Sequence, residues 1–160
     1  DLQPKYAAIQ VKSLFLNLKS VSGMYASIAD LGEKFNRQQQ AQAMVDEFNT
    51  FMQEYKDKNA GKEAPKVLIL MGLPGSYIVA TENSYVGSLV EMAGGQNVYA
   101  MPEQVQQMFA DEFEKNDIWK HFAAVQNGRV YDLDSSLFGM SANFSYQQAL
   151  EALQPMLYNS

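Results

Sequence analysis

The chain offers one histidine, His121, which stands in the run Trp119-Lys120-His121-Phe122. An imidazole suits a general base or a metal ligand, but here it would act with no second histidine. On a short helix whose Ile118 and Phe122 face the core, it reads as a packed or half-exposed side chain. Asp111, Glu112 and Glu114 bring carboxylates together, and a solvated helix face accounts for them. There is no Cys and no G-x-S-x-G elbow, so no motif assembles a nucleophile with its base.

Two loops are better placed to touch a ligand. Residues 71–76, MGLPGS, follow an apolar strand pattern as a phosphate loop does, but they lack its Gly-Lys-Ser/Thr ending and the three-glycine spacing of dinucleotide folds. They serve as a shaped loop or as a ligand contact through backbone N–H groups. Leu137, Phe138, Gly139 and Met140 follow the last predicted strand, where ligands meet α/β sheets. The chain also carries nine Met, nine Phe and nine Tyr. Such soft, flat side chains suit a large planar apolar ligand and equally an ordinary core.

The element that must position these loops is residues 36–59. Ala41, Met44, Val45, Phe48, Met52 and Tyr55 recur three or four apart there, forming one stripe of a helix. The pattern predicts Asn36 as N-cap with Gln39 as its capping-box partner, and Asn59 and Gly61 as left-handed stops. About 22 residues at ~1.5 Å each make a strut of roughly 33 Å between two halves that read differently. Before it, residues 1–9 suggest a short helix and residues 12–18 a strand. Ser20 or Ser22 then caps a helix to Phe35 with Met24, Ile28, Leu31 and Phe35 on one face. After it, the run KVLILM at 66–71 reads as one buried parallel strand. Gly72 to Gly75 then form a turn, and residues 77–80 a returning strand. A helix follows over 84–93, with Val86, Leu89, Val90 and Ala93 inward and Gly94-Gly95 as its stop. Further helices are expected over 102–113, 118–125 and 145–158, with a turn at Asn127-Gly128 and a strand at 129–133. Strands alternating with helices predict an α/β lobe with a mostly parallel sheet flanked by helices. One junction does not fit, because Val98-Tyr99 reads as a strand yet Ala100 leads straight into a helix. That leaves a sheet too narrow to cover its helices, as though residues were missing between Tyr99 and Met101.

Composition narrows the class. Of 160 residues, 47% are hydrophobic, enough for a real core, and the net charge is -6 with no basic run. Clustered Lys and Arg are what nucleic acid rewards, so that partner is excluded. No window of about 18 apolar residues exists to span a membrane. The chain opens on Asp1 with no signal peptide, as in a mature, processed or excised polypeptide.

The runs GLPGSYIVATENSYVGSLVEMAGGQNVY (72–99), NDIWKHFAAVQNGRVYDL (116–133) and FGMSANF (138–144) closely resemble a known family. It is that of the haem-binding lipoproteins serving Gram-positive haem ABC importers. These are helical-backbone substrate-binding proteins, whose relatives also carry siderophores and cobalamin. The resemblance covers nearly all of the chain. It implies two α/β lobes bridged by one long helix, with the ligand clasped between them and no catalysis. Residues 1–18 would then end the N-terminal lobe, 19–60 form the helical bridge, and 61–160 the C-terminal lobe. This chain would be a fragment of the two-lobed protein, without its signal peptide, its lipid-bearing Cys and most of its first lobe.

The same resemblance implies haem as the transported ligand and an ABC permease and upstream cell-surface haem-donor proteins as partners. It implies a place on the outer face of the cytoplasmic membrane, held there only by a lipid anchor. In that family the iron is held by a Met of the first lobe and a His of the second. That His precedes a sequence like Ala-Met-Pro-Glu, which here begins at Ala100, so it falls into the Tyr99/Ala100 junction. His121 is not at the ligand position, and no residue of this chain is assigned to the metal. Gly75, Ser76 and Tyr77 are expected to form part of the cleft wall, with Phe138, Gly139 and Met140 as a second patch. A ferric siderophore carried on the same scaffold is the alternative, and an unrelated α/β enzyme or regulatory domain is a more distant one.

Overall fold

The computed structural model describes residues 3–10, 12–73, 76–97 and 122–158. In chain order, the described elements are α1 (Gln3–Ala8), α2 (Val21–Lys34), α3 (Gln38–Lys58), β1 (Lys66–Val67), β2 (Leu70–Leu73) and β3 (Ser76–Val79). They continue with α4 (Tyr85–Met92), β4 (Gln96–Asn97), α5 (Ala123–Gln126) and α6 (Tyr146–Tyr158).

Two serines set where helices begin. The Ser20 Oγ accepts from the Gly23 N–H at 3.1 Å, and the Ser84 Oγ accepts from the Gly87 N–H at 3.0 Å. Each satisfies an amide that the first turn of a helix leaves unpaired. Helix α4 ends as expected, with Gly94 at φ +87° and the Gly95 N–H returning to the Val90 carbonyl at 2.9 Å. Val86, Leu89, Val90 and Ala93 are all buried, as their spacing predicts.

The strut forms as α3, but its cap differs from the expected one. Asn36 takes φ 55°, a left-handed residue just after α2, and Arg37 is the N-cap with no side-chain bond. Asn tolerates that conformation better than most residues, so it ends one helix rather than starting the next. Gly32 lets the two helices close at this corner, since a Cβ there would stand 2.5 Å from the Ala41 Cβ. Along the stripe, Ala41, Met52 and Tyr55 are buried, while Met44, Val45 and Phe48 are half-buried. Cover is greatest near the C-terminal half, where the Tyr55 hydroxyl donates to the Leu150 carbonyl of α6 at 2.9 Å. Phe35 is exposed rather than on the inner face of α2.

The strand expectations need correction. Residues 66–71 are not one strand. β1 pairs in parallel with β4 through Lys66–Gln96 and Val67–Asn97, and the chain then leaves that ladder. It resumes as β2, antiparallel to β3, with Gly72 inside the strand opposite Tyr77 rather than in a turn. An apolar run reports burial, and burial alone does not choose a hydrogen-bonding partner. Residues 12–18 and 129–133 form no strand, because the described residues offer neither a neighbouring ladder. The predicted strand at Val98-Tyr99, the Tyr99/Ala100 junction, the 102–113 helix and residues 118–121 of the next lie outside the described residues.

One core holds α2, α3, α4 and α6 together, with Val21, Leu89, Val90, Ala149 and Leu150 almost wholly buried. Each such Leu or Val stabilises the fold by about 1.5–3 kcal/mol relative to an exposed side chain. The strut therefore belongs physically to the same body as the helices that carry the candidate loops.

Candidate functional site

The loop between α5 and α6 is shaped by its polar groups. Asp134 accepts the Ser136 N–H on Oδ1 at 2.8 Å, and its carbonyl accepts the Leu137 and Phe138 amides at 3.0 and 2.9 Å. The bonds from Ser136 hold the Asp134 carboxyl below its ordinary pKa, favouring the charged acceptor. The turn delivers Phe138 into the core, 7% exposed, and Met140 outward, 80% exposed. Ala142 is buried again, and its N–H donates to the Leu18 carbonyl at 2.8 Å. Asn143 Oδ1 then accepts the Ser145 N–H at 2.8 Å, turning the chain into α6.

Each residue expected at the site has a place in this arrangement. Phe138 is an anchor in the core, Gly139 is half-buried beside it, and Met140 is displayed. Ser76 and Tyr77 lie in β3, paired with Leu73 and Gly72. Gly75 lies outside the described residues, as do His121, Asp111, Glu112 and Glu114. The β2–β3 hairpin is rooted by the buried Ile69, Val79 and Ala80, with the Ala80 N–H bonded to the Ile69 carbonyl at 3.0 Å, and it turns Ile78 outward. Among the described residues no group of His, Cys, Asp and Glu side chains converges to hold a metal ion.

Two features escaped the sequence reading. The Leu18–Ala142 bond joins the stretch before α2 to the loop before α6, a pairing between residues far apart in the chain that no local pattern announces. Tyr85, in the first turn of α4, is 1% exposed, and its hydroxyl meets no hydrogen-bond partner among the described residues. Burial raises its pKa, and the nearby Asn143 backbone offsets this in part without reaching bonding geometry. Four other tyrosine hydroxyls, those of Tyr25, Tyr55, Tyr146 and Tyr158, are hydrogen-bonded, the last donating to the Ala93 carbonyl at 2.9 Å. Burial first, then the Tyr146 hydroxyl, raises the Tyr25 pKa, and burial pushes Tyr55 up to about 12. All of these stay neutral in ordinary solution.

A depression of about 600 Å³ opens elsewhere, lined by Lys62, Glu63, Lys66, Arg129 and Tyr158 among others. It lies where β1 begins and where α3 and α6 end, opposite the carboxyl edge at which α/β sheets take ligands. Lys62 is already engaged there, 4.8 Å over the Tyr158 ring and 2.9 Å from Asn59 Oδ1.

Residues 4–106 match the family described as periplasmic binding protein. The chain is 41% identical over 187 residues to the high-affinity heme uptake system protein IsdE of Staphylococcus aureus (strain Newman), covering 99% of this chain. It spans 64% of that relative's length, and the aligned span exceeds the 160 residues here by 27. Among solved structures, an ABC transporter substrate-binding protein from Listeria monocytogenes EGD-e matches with TM-score 0.80 and 38% identity. That match covers 99% of this chain and 72% of the other. The S. aureus IsdE structure complexed with heme matches with TM-score 0.77 and 41% identity, over 98% of this chain and 72% of that one.

Proposed function

Since this chain belongs to the periplasmic binding protein family, we propose that it is the helical bridge and second lobe of a protein that binds haem between two lobes and delivers it to an ABC-type permease. The observation that carries this reading is the 41% identity, over nearly the whole chain, to a relative named for heme uptake and solved with heme. Residues 1–18 end the first lobe, 19–60 are the bridge, and 61–160 are the second lobe. The complete polypeptide sits on the outer face of the cytoplasmic membrane through a lipid anchor and receives haem from cell-surface donor proteins.

The work is capture rather than catalysis. Apolar walls take the porphyrin out of water, and the iron is held by a thioether and a neutral imidazole, soft uncharged ligands that suit it. In this chain Gly75, Ser76 and Tyr77 form one part of the cleft wall. Gly139 and Met140 form another, aimed by the buried Phe138. The imidazole belongs to a segment between Tyr99 and Met101. What supports that placement is an aligned span longer than this chain.

Absorption titration of the complete polypeptide tests the reading. Haem should bind and give a six-coordinate spectrum, and a ferric siderophore should not compete for it. The His121→Ala variant should keep that spectrum unchanged, because removing an imidazole outside the family's ligand position leaves the iron's ligand set intact. Loss of the six-coordinate spectrum in a folded His121→Ala protein would make His121 the ligand. Displacement by the siderophore would make it the cargo.

A further inference from the structure

We propose that the depression at the ends of α3 and α6 is a seat for a linear phosphate polymer, with Lys62, Lys66 and Arg129 meeting successive phosphates. This surface is separate from the residues to which the haem reading gives a part, and the two stand or fall independently.

The sequence has no basic run, but the fold gathers one. Lys62 and Lys66 lie on the approach to β1, and Arg129 joins them from the turn after α5. Backbone bonds fix where each side chain starts. The Lys62 N–H donates to the Asn59 carbonyl at 3.2 Å, Lys66 pairs with Gln96 in the β1–β4 ladder, and the Arg129 N–H donates to the Ala124 carbonyl at 2.7 Å. Among the described residues none of the three cations forms an ion pair, although the chain carries a net -6. Glu63 is the acid among the described lining residues, which leaves two positive charges in excess. The ends of α3 and α6 each add about half a negative charge. Lys56 and Lys58, in the last turn of α3, offset the first of these. The hollow therefore stays positive in a chain that is acidic as a whole.

Shape selects the occupant. The depression holds about 600 Å³, far more than one phosphate fills, so a single small anion would leave cations unmet. Lys62 Nζ lies 4.8 Å over the Tyr158 ring and donates to Asn59 Oδ1 at 2.9 Å, which keeps its charge inside the hollow. Charges recessed in this way meet a narrow, flexible chain that enters, whereas a flat lipid surface rests on the rim. The same contact occupies the Tyr158 ring and so withholds the platform on which a nucleobase would stack. A chain of phosphates without bases fits both features.

The test titrates the complete polypeptide with long-chain inorganic polyphosphate, with orthophosphate, and with vesicles of phosphatidylglycerol and phosphatidylcholine in equal parts. Polyphosphate should bind, and the logarithm of its association constant should fall against that of salt with a slope of roughly -2, for three contacts at about -0.7 each. Lys66→Glu and Arg129→Glu should each weaken it about tenfold or more. Glu63→Gln should tighten it several-fold, a gain that misfolding cannot produce. Lys34→Glu makes the same charge change about 30 Å away, at the far end of α3, and should leave binding unchanged. A wild type that does not bind polyphosphate overturns the seat, as does unchanged binding in Lys66→Glu, Arg129→Glu and Glu63→Gln. Equal weakening by Lys34→Glu overturns it as a response to net charge alone. Orthophosphate that displaces the polymer at equal phosphate concentration overturns the polymer in favour of a single anion. Binding to the vesicles but not to the polymer overturns it in favour of a membrane contact.

Discussion

Tyr146→Ala should destabilise the protein by about 3–5 kcal/mol, the range for removing a large buried aromatic side chain. Tyr146 is 2% exposed, and its ring meets three others edge-on, those of Tyr25, Phe48 and Phe51, with centroids 5.7–5.9 Å away. Tyr25 in turn stacks on Phe48 at 4.4 Å. The cluster joins α2, α3 and α6, so truncation at Tyr146 opens a cavity where the strut meets the lobe. It also leaves the Tyr25 hydroxyl without the Tyr146 hydroxyl it reaches at 3.3 Å. Tyr146→Phe keeps every ring contact and should cost only about 1 kcal/mol, the scale of one hydrogen bond. Urea unfolding of the two variants separates ring from hydroxyl. A Tyr146→Ala loss below about 1 kcal/mol would mean that the strut does not depend on this cluster.

Gly87→Ala should destabilise by about 1–3 kcal/mol, although alanine is the better helix former by about 1 kcal/mol. A Cβ at Gly87 would fall on the Thr81 carbonyl oxygen, which is backbone and has little freedom to move. That oxygen already accepts the Ser84 N–H at 3.0 Å and the Ser84 hydroxyl at 2.7 Å. The same Ser84 Oγ caps α4 through the Gly87 amide, so relieving the clash pulls apart the cap. Thermal unfolding reads the result directly. A Gly87→Ala protein that melts higher than wild type would show that propensity outweighs the close approach.

These two sites mark where the sequence was legible. Ser20, Ser84 and Gly94 act through their immediate neighbours, so the bounds of α2 and α4 follow from local chemistry. The stripe from Ala41 to Tyr55 announces a helix because its period is internal to the segment. It does not announce that Phe48 is only half-buried, since cover comes from α6, far along the chain. Strands were harder for the same reason. Lys66 and Val67 pair with Gln96 and Asn97, whereas Leu70 pairs with Val79, and no property of KVLILM divides it there. Asn36 was misassigned because a residue that caps a helix start also tolerates the left-handed turn after a helix end. At the candidate site, Phe138 and Met140 look alike as large apolar residues. Only the Asp134 turn, which sends one inward and the other outward, distinguishes anchor from contact. Tyr85 gave no signal at all, because an unpartnered hydroxyl is a property of its surroundings.

Hydrogen–deuterium exchange of the complete polypeptide with and without haem tests the central claim most directly, that the ligand lies against the β2–β3 hairpin and the loop between α5 and α6. Haem should slow exchange in peptides covering residues 76–79 and 136–146. Peptides covering residues 58–66, at the Lys62 depression, should exchange at the same rate in both states. Protection confined to 58–66, with 136–146 unchanged, would place the ligand at the opposite end of the lobe and contradict the account.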